Sequence, residues 1–77
     1  MMPLLLTKSG EIVKIAGILG GRGIYLRLMN MGIKVGDVVE VVQNAGGPVI
    51  IKKGNTRLAL GIGVSGKILV VPERRGR

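Results

Sequence analysis

Gly61-Ile62-Gly63-Val64-Ser65-Gly66-Lys67 is the stretch of this sequence that comes nearest to a chemical motif. It spells the G-x-G-x-x-G of dinucleotide-binding turns and all but the last position of a phosphate-binding loop. Neither chemistry follows. Ile68 stands where a Ser or Thr hydroxyl must reach magnesium, and Lys67-Ile68-Leu69-Val70-Val71 has the β-branched composition of a strand. Both motifs need a helix at that point, because its N-terminal N–H groups are what meets the phosphate. The stretch is expected to be a tight crossover, an irregular link or single helical turn that needs small residues.

The remaining chemical groups are few. There is no Cys and no His, which removes the usual nucleophiles, bases and soft metal ligands. The acids are Glu11, Asp37, Glu40 and Glu73, each on a different predicted element, so they cannot form a carboxylate pair or a metal cage by local spacing. Met29 and Met31 share one predicted helix, but two positions apart they point to different sides. No catalytic, metal or cofactor-binding residue is assigned, and an enzyme is not expected.

Charge is basic enough to favour an acidic partner, although scattered Lys that keep a surface soluble are the commoner reason for such an excess. The chain of 77 residues carries a net charge of +8. Arg74, Arg75 and Arg77 follow Pro72 without an apolar side chain among them, so residues 73–77 are expected to be a basic, flexible tail. Arg22, Tyr25, Arg27 and Lys34 lie on or beside the one predicted helix and are the candidate partner-binding residues, since Tyr and Arg offer broad contact at small entropic cost. A basic small barrel that binds nucleic acid is the alternative reading. It lacks the several stacking rings that single-strand binders supply, because Tyr25 is the one aromatic residue. No stretch is long and apolar enough for a membrane-spanning helix, and the Met1 to Leu6 run is too short for a signal-peptide core, so a cytoplasmic location is expected.

Punctuation every eight to twelve residues predicts a mainly β domain. Pro3 to Thr7 is expected as a first strand and Glu11 to Ile18 as a second, with Gly20-Gly21 ending it. Arg22 to Met31 changes period: Ile24, Leu28 and Met31 recur at helical spacing, with Gly32 placed for a left-handed helix end. Gly36-Asp37 then turns into the β-branched run Val38 to Val42. Asn44 to Pro48 is the loop that reverses it into Val49 to Lys53, Gly54-Asn55 is a hairpin turn into Thr56 to Leu60, and Lys67 to Val71 is the last strand. The Val38 to Leu60 hairpin is expected to leave an edge or an apolar patch open, and so to allow weak homo-oligomers.

The order and spacing of Arg27-Leu28-Met29-Asn30-Met31-Gly32-Ile33, Gly36-Asp37, Gly46-Gly47-Pro48-Val49, Thr56-Arg57-Leu58-Ala59-Leu60-Gly61 and Lys67-Ile68-Leu69-Val70 resembles the FeoA family, the small component of bacterial and archaeal ferrous iron uptake. The resemblance implies a single domain over residues 2–72, an SH3-like β-barrel of roughly five strands with one short inserted helix. It implies a non-enzymatic, cytosolic adaptor that binds the GTPase domain of the FeoB permease, and through it recruitment to the inner face of the membrane. It also extends to the C-terminal barrel of iron-dependent repressors of the diphtheria-toxin-repressor type. The free-standing barrel fits the transport accessory better. Ser65-Gly66 and the basic tail depart from the family pattern.

Overall fold

The structure, a computed structural model, describes residues 1–73. The expected basic tail therefore lies, past Glu73, outside the described residues. Strands β1 (Met2–Pro3), β2 (Ile12–Ile18), β3 (Val38–Gln43), β4 (Val49–Lys53), β5 (Thr56–Leu60) and β6 (Ile68–Pro72) form one antiparallel sheet in the order β1-β6-β2-β3-β4-β5. Helix α1 (Arg22–Asn30) is inserted between β2 and β3, and a short α2 (Ile62–Ser65) fills the expected crossover.

Alternation decides what the sheet buries. Val13 and Ile15 of β2, Val39 and Val41 of β3, Val49 and Ile51 of β4, and Ile68 and Val70 of β6 all face inward, and Leu4, Leu28, Ile33 and Leu60 complete an aliphatic core. The sheet can wrap this core because two strands carry an extra residue. The pairing register shifts at Ala16 of β2 and at Val42 of β3, and such bulges raise local twist and bend the strand. The mainly β fold with one inserted helix agrees with expectation; the described strands are six because the short β1 adds to the barrel at β6.

The first predicted strand is corrected. Only Met2–Pro3 pairs, and Leu4–Leu6 is a 3₁₀ turn. The Leu4 carbonyl accepts from both the amide (3.0 Å) and the hydroxyl (2.7 Å) of Thr7, and the Asn44 side-chain amide donates to the carbonyls of Leu5 (2.8 Å) and Thr7 (2.7 Å). Those carbonyls are thereby satisfied outside any strand ladder.

Helix α1 ends in a Schellman closure. Gly32, with φ of 83°, donates to the Met29 carbonyl at 2.9 Å, while Ile33 donates to Leu28 at 2.9 Å. Leu28 and Ile33 are both fully buried, so the closure carries its usual apolar contact across the helix end. Beyond it lies Asp37, whose side chain is almost fully buried. Its carboxylate accepts from the Lys34 amide (2.9 Å), the Lys34 ammonium (3.2 Å) and the Lys53 ammonium (2.9 Å). Lys53 also donates to the Gly32 carbonyl, an exposed group at the helix end. The Asp37 backbone meanwhile accepts from Ile15 of β2 at 2.8 Å. Side chain and backbone together, Asp37 thus joins the loop after the helix to β2 and β4, and Lys53 extends the link to the helix end.

Burial alone would raise the Asp37 pKa, but the hydrogen bonds from Lys53 and from the Lys34 amide and ammonium outweigh it and hold the carboxyl below its ordinary 3.8. A depressed folded-state pKa means that the contribution is complete above the unfolded value and is lost as pH falls through 3.8 toward the lower folded value. Asp37→Ala should cost about 2 kcal/mol, because it leaves the part-buried Lys34 amide and two ammonium groups without their acceptor. In a domain of this size that lowers Tm by about 10 °C. Thermal melts at neutral pH and in the acid range check both points: the wild-type advantage over Asp37→Ala should be full at neutral pH and shrink below 3.8.

Candidate functional site

Helix α1 is apolar on two sides. Ile24, Leu28 and Met31 pack toward the core, as the sequence period predicts. Tyr25, Leu26 and Met29 instead face outward, 42%, 43% and 48% exposed. At 100° per residue these three and Arg22 fall within an arc of about 100°. Three of its four side chains are apolar or aromatic, with a guanidinium at the N-terminal end.

Of the residues proposed from the sequence, Arg22 and Tyr25 therefore share one arc. Arg27 does not join them, being about 140° round the helix from Arg22. Lys34 lies in the loop past the helix end, where its ammonium pairs with Asp37. It is still largely solvated, so that pair contributes little by itself. Leu26 and Met29 were missed. The signal that could have found them is the second apolar set at positions 25, 26 and 29, on the side opposite the inward stripe.

Two open hollows flank these elements. One, about 330 Å³, is an apolar groove between the end of α1 and the β4–β5 hairpin, lined by Met31, Gly32, Lys53, Gly54, Thr56 and Leu58. The other, about 220 Å³, is polar and lies on the sheet beside Ile12, Glu40 and Lys52. Neither hollow brings nucleophile, acid and base together. The G-x-G-x-x-G stretch is equally inert: α2 is a single turn, and Lys67 leads directly into β6.

The backbones of Glu11, Glu40 and Glu73 meet around Ile12, which follows Glu11, pairs with Glu40 and accepts from the Glu73 amide at 3.0 Å. Among the described residues no three metal-ligating side chains form a group. Asp37 already accepts from two ammonium groups, and Glu11 accepts from the Lys8 amide at 2.7 Å. Ferrous iron would have to displace these donors, so the isolated protein should bind it only weakly. Anaerobic calorimetry should give no stoichiometric, submicromolar binding; observing such binding would contradict this description of the donors.

A FeoA domain model matches residues 2–72. A Methanocaldococcus jannaschii protein carrying the provisional name Fe(2+) transport protein A is 41% identical over 70 residues, which cover 91% of this chain and 85% of that one. The crystal structure of an iron uptake regulatory protein (FeoA) superposes with a TM-score of 0.82 at 33% identity, covering 91% of this chain and 93% of the other. The manganese regulator SloR superposes with a TM-score of 0.85 at 14% identity over 94% of this chain but 34% of its own, a likeness of fold alone. The mainly antiparallel, SH3-like sheet is thus shared by free-standing FeoA proteins and by part of a larger regulator. With a family model spanning nearly all of its length and a relative at 41% identity, the chain belongs to the FeoA family.

Proposed function

We propose that this protein is a non-enzymatic adaptor of ferrous iron uptake that binds the GTPase domain of a FeoB-type permease through the outer face of α1. Family membership supports the process. The observation that carries the surface is the exposed arc of Tyr25, Leu26 and Met29 with Arg22 at its edge. Aromatic, Met and Arg side chains are the types enriched at the centres of interfaces, and depletion of Lys and Glu there is the matching signal. Arc residues carry no acid, so the cation at position 22 is free to meet an acidic group on the partner.

The helix is suited to this by its mounting. Leu28 and the Schellman closure hold the inner side, so presenting Tyr25 and Met29 costs little further ordering on binding. Recruitment to the inner face of the membrane follows from the partner, since no helix among the described residues is long and apolar enough to cross a membrane.

The test is calorimetry of the purified FeoB GTPase domain with variants of α1. Tyr25→Ala and Met29→Ala should each weaken binding by about tenfold, the loss expected on truncating a central interface residue. Arg22→Ala should weaken it by a smaller factor, and Arg27→Ala, on the other flank, should do least. All four positions are exposed or lie outside the core, so melting temperatures should stay near wild type. Equal affinity for the Tyr25 and Met29 variants and wild type would remove α1 from the interface.

A further inference from the structure

The sheet has one long open edge. β1, at one end, is a two-residue strand containing Pro3, which has no N–H to donate. β5, at the other end, has five residues, pairs among the described residues with β4 alone, and keeps an unbroken register from Val49↔Leu60 to Lys53↔Thr56. Edges of this kind are normally blunted by proline, a bulge or inward charge, because their unpaired N–H and C=O groups accept another strand. β5 has none of these. Its one charged residue is Arg57, and Arg57 faces away from the core, on the side opposite Leu58 and Leu60.

That arginine makes the edge selective. Across the sheet the register sets Glu40 opposite Lys52 and Lys52 opposite Arg57. Like charges directly opposite are unfavourable, and neither Lys52 nor Arg57 has an ion-pair partner among the described residues. A strand laid beside β5 with a carboxylate opposite Arg57 would offset the repulsion; one with a cation there would extend it. On the inner side of the same edge, Thr56 and Leu58 form one wall of the 330 Å³ apolar groove, whose other wall is Met31 and Gly32 at the end of α1. An added strand alternates its side chains, so an acid facing Arg57 would be followed by a residue directed into this groove.

We infer that β5 is a strand-accepting site for an extended segment of a partner that alternates acidic and apolar residues, the acid pairing with Arg57 and the apolar neighbour filling the groove between Leu58 and Met31. This is the mode in which backbone hydrogen bonds supply affinity and side-chain pockets supply specificity. The site is separate from the outer arc of α1 and does not depend on it.

Isotope-labelled full-length protein, titrated with a short end-blocked peptide of alternating glutamate and valine, tests the site by amide chemical shift. Shifts should concentrate at residues 56 to 60 and at Met31 and Gly32, and the matching lysine–valine peptide should bind at least about tenfold more weakly. Arg57→Glu, an exposed substitution, should reverse that preference, and Arg57→Gln, which removes the charge and keeps a polar side chain, should abolish it. Shifts absent from β5, equal shifts from both peptides, or a preference unmoved by either substitution would each overturn the proposal. So would concentration-dependent shifts at β5 without peptide, which would make the edge a contact between two copies of this chain.

Discussion

A single buried carboxylate couples the helix to the sheet. Asp37 takes three hydrogen bonds from Lys34 and Lys53, its backbone joins β2, and Lys53 continues to the carbonyl of Gly32 at the end of α1. A chain with a core of aliphatic residues and no Cys has few other means of fixing an inserted helix. Leu28 supplies the fully buried apolar anchor, with Ile24 and Met31 packed beside it, but non-directional apolar contact does not by itself set a helix's direction. The polar clamp does that, because it holds the first residues after the helix against two strands.

From this constraint the two candidate surfaces follow. With the inner stripe of α1 committed to the core, the remaining apolar side chains at positions 25, 26 and 29 have nowhere to go but outward. The same clamp places the end of α1 beside the β4–β5 hairpin, since Lys53 is both the Asp37 partner and the last residue of β4. The groove beneath β5 is the space left between them. Both surfaces offer apolar contact beside a cation, Arg22 at the helix and Lys53 at the groove.

Much of the fold was legible in the sequence. The β-branched runs and the glycines bounding them marked the central strands, and the change of period at Arg22 to Met31 marked the helix, because burial and local backbone geometry pull the same way there. The first strand was not legible. Pro3 to Thr7 has strand-like residues, but Thr7 closes the turn on the Leu4 carbonyl, and the side chain of Asn44, nearly forty positions away, takes up the carbonyls of Leu5 and Thr7. The clamp was hidden for the same reason: Asp37 and Lys53 are 16 residues apart, and Asp37 signalled a turn and nothing more. At the candidate surface, Arg22 and Tyr25 were proposed because charge and aromaticity are visible one residue at a time. Leu26 and Met29 were not, since an apolar residue on a helix is counted as core until the packed face is known.

The central claim is that the outer face of α1 is where a permease GTPase domain is met. Cross-saturation measured on deuterated, methyl-labelled protein in complex with an unlabelled FeoB GTPase domain tests it most directly, because it reports contact and does not depend on any substitution. The account predicts strong attenuation at the methyl groups of Leu26 and Met29, with those of Val38 and Ile12 on the sheet unaffected. Attenuation confined to the sheet, with Leu26 and Met29 untouched, would contradict it.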